Sequence, residues 1–514
     1  MAKKQIIVVG SGNAAMSAGI AALEAGADVL MLEKADAALA GGNTKYTAGA
    51  MRFAYTQDAE LLPLLSNPDD ERVARTDFGQ YSAEKFAEDL LGFNDGLPLS
   101  PEQEVLVSQS YDAVCWLASH GVTYEPIYGR QSFEKDGRFV FWGGLTLAAD
   151  NEGVGLFDME LAAFQRMGGR IRYEAAVTDL LVERDRVVGV YVGEELIRAD
   201  AVVLACGGFE SSDALRASNI GPDWSVAKVR GTPHNTGDGL RMAEALGAVR
   251  YGRFDGCHAT PMDLHMKDFG NLDLPPKDRK NYRKICYFLG VMLNARGERF
   301  VDEGINFRNY TYAQFGGAVL EQPGHFAWQI FDAKVLDLLY GEYHFHDASF
   351  VEADTLEALV EKLDGLDAGA AARTLAAYNN AVDDAVAFDP TVLDGKATQG
   401  LALAKSNWAQ RLDTAPYRAY PVTGGITFTY GGLKVDGAGA VQAENGSIPG
   451  LYACGELVGG VFYGGYPGGS GLTSGTVFGR RAGVGAAGDK GSYPQRIAPH
   501  PGHFSTRKRG RRGF

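Results

Sequence analysis

Residues 5–34 read QIIVVGSGNAAMSAGIAALEAGADVLMLEK, and this stretch decides the fold. The apolar run at residues 6–9 is typical of a buried parallel strand. Gly10 ends that run and opens a GxGxxA turn, which an alanine-rich segment with an apolar stripe follows at residues 14–25. A second apolar run occupies residues 28–32. The pattern predicts a strand, a tight turn, a helix and a second, parallel strand.

The turn after the first strand carries the residue types that a dinucleotide requires. Gly10 permits the tight turn, Gly12 lets the backbone approach a pyrophosphate, and Ala15 lets the helix pack close to the strand. Glu33 lies about 20 residues past these glycines, where an acid accepts hydrogen bonds from a ribose 2′-hydroxyl. The same carboxylate would repel the 2′-phosphate of NADP. We therefore expect the chain to bind an adenine dinucleotide other than NADP.

Three later segments favour FAD over NAD. Residues 41–53 read GGNTKYTAGAMRF, a second glycine-rich loop that can run its backbone along a longer, flatter cofactor. Residues 199–209 and 450–457 are further strands that end in glycines. A second GxGxxG fingerprint is absent from the sequence, so we expect no separate nicotinamide domain.

Composition excludes several classes of protein. The chain has 514 residues, of which 46% are hydrophobic, so it is long enough for two domains with apolar cores. Its formal net charge of −15 disfavours nucleic acid as a partner, because binding to phosphates requires a basic surface. The five cysteines form no CxxC pair, so we expect neither a disulfide framework nor a metal site.

The sequence also bears on cellular location. Only four residues precede the first predicted strand, which leaves no room for a secretion signal. The chain contains no apolar run long enough to span a bilayer. We therefore expect a cytoplasmic protein that is not integral to a membrane.

Several ordered motifs resemble one family of flavoproteins. These motifs are GSGNAA, LEK, GGNTKYTAGAM, NTGDG, RFVDE, GLYACGE and GGSGLTSGTVFGRRAG. They resemble the flavoproteins of fumarate reductase, succinate dehydrogenase and 3-ketosteroid dehydrogenase, over nearly the whole chain. Within that family the chain looks most like the tricarballylate dehydrogenases, through GNTKYTAGAMRFAY, GCHATP, INFRNYTYA, ITFTYGGLK and FYGGYPGGSGLTSG.

The resemblance implies an α/β fold, in which a doubly wound, Rossmann-like FAD-binding domain is interrupted by an inserted α+β capping domain. By motif position, residues 1–253 form the first part of the FAD-binding domain and residues 254–423 form the cap. Residues 424–490 complete the FAD-binding domain. Residues 491–514, which include the basic run RKRGRR, are expected to form a flexible tail.

The resemblance also assigns the cofactor residues. The run GGSGLTSG would bring backbone N–H groups against the flavin, and a helix from Thr473 onward would point its N-terminus at the ring, where reduced flavin is negative. Asn43 stands where membrane-bound succinate dehydrogenases carry a flavin-linked histidine, so we expect non-covalent FAD. The implied cofactor-binding residues are Gly10, Gly12, Asn13, Ala14, Ala15, Glu33, Lys34, Gly41, Gly42, Asn43, Thr44, Gly49, Ala50, Val177, Gly207, Asp238, Gly455, Glu456, Ser470, Gly471 and Leu472.

The catalytic residues of the family are matched only in part. His258 in GCHATP matches one substrate-binding histidine, but Phe428 or Thr429 takes the place of the second. The anchoring arginine of the fumarate-reducing members is replaced by Tyr466, which resembles the tyrosine that donates to the substrate carbonyl in the ketosteroid dehydrogenases. Leu336 stands where we expect the catalytic arginine. Fumarate reduction therefore does not carry over directly.

The segment at residues 299–313, RFVDEGINFRNYTYA, supplies the remaining candidates. In the family, the matching glutamate and arginine, here Glu303 and Arg308, belong to a proton path. Without the catalytic arginine, Arg308 could instead clamp a substrate carboxylate, with Tyr310 or Tyr312 as the acid/base. Alternatively, Arg308 only holds the loop through an ion pair with an acid of the same segment. Two further arginines in motif loops, Arg52 and Arg253, could add to a positive pocket.

We therefore expect an FAD-dependent dehydrogenase that introduces a C=C bond beside a carboxylate, with a tricarballylate-like di- or tricarboxylic acid as substrate. One alternative is a 3-ketosteroid-type dehydrogenase or a fumarate or enoate reductase. Another is a flavin-binding protein without turnover. The sequence contains no haem motif, iron–sulfur cysteines or nicotinamide domain, so a separate electron acceptor or donor is expected.

Overall fold

The computed structural model describes residues 3–141 and 144–488. The predicted tail at residues 491–514 lies outside these described residues, as do residues 489–490. Within them, the helices are α1 (Asn13–Glu24), α2 (Ala83–Leu91), α3 (Pro101–Ser119), α4 (Tyr128–Gln131), α5 (Glu152–Arg166), α6 (Asp213–Asn219), α7 (Asp238–Glu244), α8 (Arg308–Leu320), α9 (Leu356–Val360), α10 (Ala368–Ala381) and α11 (Ser470–Ala487).

The described strands are short, apart from the long strand β20. They are β1 (Gln5–Val9), β2 (Asp28–Leu32), β3 (Ala50–Met51), β4 (Thr76–Asp77), β5 (Tyr124–Pro126), β6 (Ser132–Lys135), β7 (Arg138–Phe141), β8 (Leu147–Ala149), β9 (Arg170–Arg172), β10 (Val177–Glu183), β11 (Arg186–Val192), β12 (Glu195–Arg198), β13 (Ala201–Leu204), β14 (Lys228–Val229), β15 (Arg250–Tyr251), β16 (Cys257–Asp263), β17 (Val291–Asn294), β18 (Phe326–Phe331), β19 (Val351–Ala353), β20 (Tyr417–Thr429), β21 (Gly432–Leu433), β22 (Ala440–Ala443) and β23 (Gly446–Ala453).

The first sheet has the doubly wound arrangement that the sequence predicts. Its strand order is β22-β23-β13-β1-β2-β9, with every neighbouring pair parallel except β22 and β23. The strand order reverses at β1, so the chain leaves this central strand in both directions. Such a reversal opens a crevice at the carboxyl ends of the strands. The fold class is therefore confirmed as an α/β, Rossmann-like architecture with a second sheet beside it.

The carboxyl ends of the central strands are held in line by backbone hydrogen bonds. The N–H of Gly10 donates to the carbonyl of Leu32 over 2.8 Å, and the N–H of Ala205 donates to the carbonyl of Val9 over 2.9 Å. Gly10 has a φ of 106°, and a Cβ there would lie 2.4 Å from the oxygen of Ala205. Only glycine therefore allows β1 to turn into α1 so close to β13.

The second sheet contains the order β14-β20-β18-β17, and β16 and β19 also pair with β20. Alternate residues of its strands enter two separate apolar cores, one on each face of the sheet. Helix α8 packs against β16 and β20. This sheet extends beyond the predicted cap at both ends, because β14 precedes residue 254 and β20 continues past residue 423 to Thr429.

Helix α11 packs against α1 through small residues. A Cβ on Gly479 would lie 2.4 Å from the carbonyl oxygen of Ala14, and one on Gly483 would lie 2.1 Å from that of Ala18. The two helices approach this closely because glycine has no side chain at the contact. The contact holds the C-terminal helix beside the first helix of the chain.

The described residues also bear on disulfides, metal sites and membrane-spanning helices. All five cysteines are free, and among these residues no group of three or more His, Cys, Asp or Glu side chains could hold a metal ion. Within residues 3–141 and 144–488, no helix combines the length and the apolar character needed to cross a membrane.

The Gly483→Ala variant is expected to lower the free energy of unfolding by about 1–3 kcal/mol, because the added methyl group overpacks the helix contact. Urea denaturation followed by circular dichroism measures the change. The control is Gly341→Ala, where an added Cβ has no other heavy atom within 4 Å. Equal stability of the two variants would contradict the role given to the contact between α1 and α11.

Candidate functional site

An elongated cavity lies between the two sheets. Its first part is lined by the segments that follow β1, β2, β13 and β23, at the carboxyl edge of the first sheet. Its second part is lined by residues of β16, α8 and β20 in the second sheet. The arrangement brings residues from distant parts of the sequence to one site, as the sequence predicts.

Glu33 occupies the first part of this cavity, at the end of β2. Its carboxylate accepts a hydrogen bond from the Ser11 hydroxyl and another, of 2.7 Å, from the N–H of Ala35. The Ser11 hydroxyl also accepts from the N–H of Gly41 over 2.9 Å. These contacts hold the carboxylate in one orientation, in which it lines the cavity near Val177.

Lys34 and Asp238 line the cavity and pair with each other. The Lys34 ammonium lies 2.9 Å from the Asp238 carboxylate and donates to the Thr236 hydroxyl over 2.9 Å. About a third of each charged side chain is exposed, at 36% for Lys34 and 37% for Asp238. Both predicted residues therefore lie at the site, but each also neutralises the other.

The N-terminus of α1 suits an anionic pyrophosphate. The N-cap residue Gly12 offers no capping side chain and the first turn contains no acid, so the first-turn N–H groups other than that of Asn13 remain available. Gly12 and Asn13 line the cavity there. The N–H of Asn13 donates to Thr44, while its side-chain amide donates to the carbonyl of Leu472 over 2.8 Å. The residues present therefore fit the expected dinucleotide.

Asn43 lies in a buried hydrogen-bonded network. Its amide donates to Glu210 over 2.7 Å and to the carbonyl of Thr427 over 2.8 Å, and it accepts from the N–H of Thr232 over 2.9 Å. Burial raises the pKa of both Glu210 and the nearby Glu456. These three hydrogen bonds fix the orientation of the Asn43 side chain, and the non-covalent attachment of the cofactor stays a prediction.

The glycine run before α11 reaches the centre of the cavity. The helix begins at Ser470 rather than at the expected Thr473, because Gly469 adopts a left-handed φ of 86° and ends the preceding loop. The Tyr466 hydroxyl accepts hydrogen bonds from the N–H groups of Gly469 over 2.8 Å and Gly471 over 3.2 Å. Tyr466 therefore fixes the loop that lines the cavity.

Most of the predicted cofactor residues line this cavity, whereas Ala15, Gly41, Gly49 and Ser470 do not. Ala15 is fully buried in the core, and Gly41 donates to Ser11. A Cβ on Gly49 would lie 2.5 Å from the backbone of Glu152. The Ser470 hydroxyl donates to the carbonyl of Pro467 over 2.7 Å. These residues support the lining segments without facing the cavity.

In the second part of the cavity, Arg308 is buried and lies at the start of α8. It donates to the Tyr340 hydroxyl over 3.2 Å and to the carbonyl of Arg130 over 2.9 Å. Among the described residues, no carboxylate forms an ion pair with it. Glu303, predicted to act with Arg308, instead accepts from Arg299 over 3.1 Å and does not line the cavity. Glu303 is thus held by Arg299, four residues earlier in the chain, and the structure does not bring it into the cavity with Arg308.

Tyr310 and Tyr312 point in different directions from α8. Positions two apart on a helix differ by roughly 200° around the axis. The Tyr310 hydroxyl therefore donates to Asp89 over 2.9 Å, outside the cavity, while Tyr312 lines the cavity. This geometry corrects the assignment of Tyr310 and leaves Tyr312 as the tyrosine beside Arg308.

His258 lies within an aromatic cluster in the cavity. Its ring stacks on Phe428 at 5.1 Å and meets the edges of Tyr312 and Tyr466, each at 4.9 Å. Its Nδ1 is buried without a hydrogen-bond partner among the described residues. Burial and the nearby Arg230 lower the pKa of His258 well below its usual value, so the ring is neutral at pH 7.

Arg52 and Arg253 do not contribute to this cavity. Arg52 is fully buried and donates to the carbonyl of Gly468 over 2.6 Å. Arg253 pairs with Asp95 and, over 3.0 Å, with Asp255 near the surface. Neither arginine lines the cavity, so the predicted contribution of both to a positive pocket is wrong.

Three other arginines line the cavity, and no sequence motif predicts them. They are Arg130, Arg230 and Arg283. Each stands outside a glycine-rich or histidine motif, and only the folded topology brings them together. Only Arg230 could have been suspected from the sequence, because it stands a few residues before the TGDG motif; in the structure it directly follows β14.

Replacing Glu33 with alanine is expected to weaken binding of the expected FAD by about 10- to 100-fold, because a hydrogen bond to a charged group contributes about 1.5–3 kcal/mol. Fluorescence titration of the apoprotein with FAD measures the affinity. Glu183→Ala, which removes an exposed carboxylate paired with Arg198, is the control. An unchanged FAD affinity in Glu33→Ala would contradict the assignment of Glu33.

Comparison with known proteins agrees with this geometry. Residues 5–472 match the family described as FAD binding domain. The chain is 30% identical over 496 residues to a fumarate reductase (cytochrome) of Shewanella frigidimarina, which covers 94% of this chain and 76% of that protein. It is 28% identical over 430 residues to a 3-oxosteroid 1-dehydrogenase of Mycobacterium tuberculosis, which covers 76% of this chain and 71% of that protein.

A solved structure extends the similarity to three dimensions. The open conformation of a flavocytochrome c3 fumarate reductase has a TM-score of 0.68 and 27% sequence identity, and covers 95% of this chain and 78% of that chain. The chain belongs to the FAD binding domain family and is an FAD-dependent oxidoreductase of the dehydrogenase and reductase type that acts on CH–CH groups.

Proposed function

We propose that the enzyme dehydrogenates a small di- or tricarboxylic acid of the tricarballylate type, forming a C=C bond beside a carboxylate. The observation that carries this proposal is the position of Arg308. This buried arginine, without a carboxylate partner among the described residues, lines the same cavity as the FAD-binding loops, beside Tyr312 and His258. A substrate carboxylate would supply the missing anion.

Arg308 is suited to hold that carboxylate. Burial alone lowers the pKa of Arg308, but Tyr340 and Tyr312 more than offset this, so the guanidinium stays charged. Its bonds to the Tyr340 hydroxyl and to the Arg130 carbonyl fix its orientation. An arginine fork fixed in this way can bind a carboxylate with two parallel hydrogen bonds.

Tyr312 is suited to move the proton. Burial, reinforced by Tyr466, raises the pKa of Tyr312 above its usual value, and the nearby Arg230, Arg308 and Arg283 oppose only part of that rise. In dehydrogenation, Tyr312 would act in its phenolate form, which the three arginines favour, and would become the neutral phenol by accepting the proton from the carbon beside the carboxylate. In the reverse direction, the protonated phenol would return it to the same carbon.

Bound FAD supplies the acceptor for the hydride that leaves the neighbouring carbon. The substrate thus loses one proton and one hydride, and the product contains one C=C bond. Neutral His258, stacked on Phe428, would position the substrate and keep water out of the aromatic part of the cavity. The two electrons then leave to a separate acceptor.

A ketosteroid-type substrate is the second candidate, and Tyr466 favours it. The Tyr466 oxygen already accepts from two backbone N–H groups, so its own proton is available for a ketone oxygen. A neutral ketone, however, would leave Arg230 and Arg308 buried without an anion. The charges of the cavity therefore support the carboxylic acid.

The reaction is tested by mixing the oxidised holoenzyme anaerobically with tricarballylate, succinate or a 3-ketosteroid, and following the flavin absorbance. We expect bleaching by a carboxylic acid and none by the ketosteroid. Bleaching by the ketosteroid alone would overturn the proposal. If none bleaches, chemically reduced enzyme is offered aconitate, fumarate and an enone; reoxidation by an unsaturated acid would reverse the proposed direction.

The Tyr312→Phe variant is expected to slow flavin reduction by the substrate about 10²- to 10⁴-fold, the usual contribution of a general acid or base. Tyr310→Phe is the matched variant, since it removes a hydroxyl from the same helix on the face outside the cavity. Stopped-flow absorbance measures the rates, and isothermal titration calorimetry checks that each variant still binds substrate. A large loss in Tyr310→Phe with normal rates in Tyr312→Phe would reverse the assignment.

A further inference from the structure

Arg230 occupies a distinct wall of the substrate cavity. It directly follows β14, and its N–H donates to the carbonyl of Ile426 on β20 over 2.9 Å. Its Nε donates to the Thr427 hydroxyl over 3.1 Å. The side chain is only 6% exposed and lines the cavity. Arg308 approaches the same cavity from α8, so the two arginines are held by different elements.

The acids near Arg230 are already paired with other cations. Glu342 lies 2.5 Å from Arg283 and 3.5 Å from Arg130, and Arg130 also lies 3.4 Å from Glu152. Although burial raises the pKa of Glu342, Arg130 and Arg283 lower it to about 2, so this carboxylate is ionised. Among the described residues, none of these acids forms an ion pair with Arg230.

The surroundings of Arg230 therefore favour an added anion. Burial, reinforced by the positive charge of Arg283, lowers the pKa of Arg230 to about 9. A buried cation without a partner is costly, and an anion that binds beside it removes that cost. The structure records no hydrogen bond from the two terminal nitrogens of Arg230 to the described residues, so both remain available to a ligand.

We propose that Arg230 forms a second carboxylate subsite, which selects substrates that carry at least one carboxylate besides the one held by Arg308. This inference rests on the proposed function and names its substrate class. Two arginines without acid partners in one cavity match a ligand with two or more negative charges. A monocarboxylate would leave one of the two guanidinium groups uncompensated.

The subsite is tested by calorimetric binding to the oxidised holoenzyme under anaerobic conditions. The ligands are tricarballylate, succinate, which has two carboxylates, and butyrate, which has only one. Arg230→Gln is expected to weaken tricarballylate binding by about 30-fold or more, since truncating one partner of a buried charge pair has effects of this size. The same variant should also weaken binding of succinate, but it should hardly change binding of butyrate, whose single carboxylate is held by Arg308.

Two further variants make the result specific. Arg230→Lys keeps the charge but loses the planar fork, so it should recover part of the lost tricarballylate affinity. Arg253→Gln removes a positive charge near the surface, where Asp95 and Asp255 pair with it, and should leave all three affinities unchanged. The FAD content and thermal midpoint of each variant show whether it folds.

Equal weakening of all three ligands by Arg230→Gln, or no weakening, would overturn the subsite, as would failure of the wild-type enzyme to bind tricarballylate. Binding with the expected pattern but without flavin reduction would leave the subsite intact and remove the proposed reaction. Flavin reduction by tricarballylate, together with an unchanged affinity in Arg230→Gln, would support the proposed reaction and rule out the subsite.

Discussion

The close contact between α1 and α11 determines how the rest of the site is assembled. Glycines of α11 let its backbone approach the carbonyls of Ala14 and Ala18, and the Asn13 side chain bonds to Leu472 across the same contact. The turn between β1 and α1 and the start of helix α11 therefore meet at the carboxyl edge of the first sheet. Without this approach, the glycine run before α11 would not reach the loops after β1 and β2, and the two halves of the cofactor cavity would separate.

The distribution of charge inside the molecule differs from that of the whole chain. The formal net charge is −15, yet the substrate part of the cavity is lined by four arginines, Arg130, Arg230, Arg283 and Arg308. Glu342 neutralises part of this charge through Arg130 and Arg283. The remaining positive charge is enclosed by apolar and aromatic walls, where a low local dielectric strengthens its attraction for anions.

The sequence predicts the first β-α-β unit well, because the two apolar runs, the glycine turn at Gly10 and the acid Glu33 at the end of the second run all indicate the same structure. It predicts the substrate site less well, and for physical reasons. The choice between Tyr310 and Tyr312 depends on how α8 is rotated against β16 and β20, which the motif alone does not define. Arg230 and Arg283 are brought together only by the second sheet. The predicted boundary at residue 423 falls inside β20, whose first half pairs with β18 and whose last residues line the cofactor cavity.

Strand β20 has a mechanical consequence for access to the cavity. Its first half pairs with β18 in the second sheet, and its last residues bond to Asn43, Arg230 and Glu456 around the cofactor cavity. One continuous strand thus joins the second sheet to the segments that line the cofactor cavity. The ion pair between Arg130 and Glu342, across 3.5 Å, links the two parts of the molecule a second time, so an opening that pivots about β20 would have to break it.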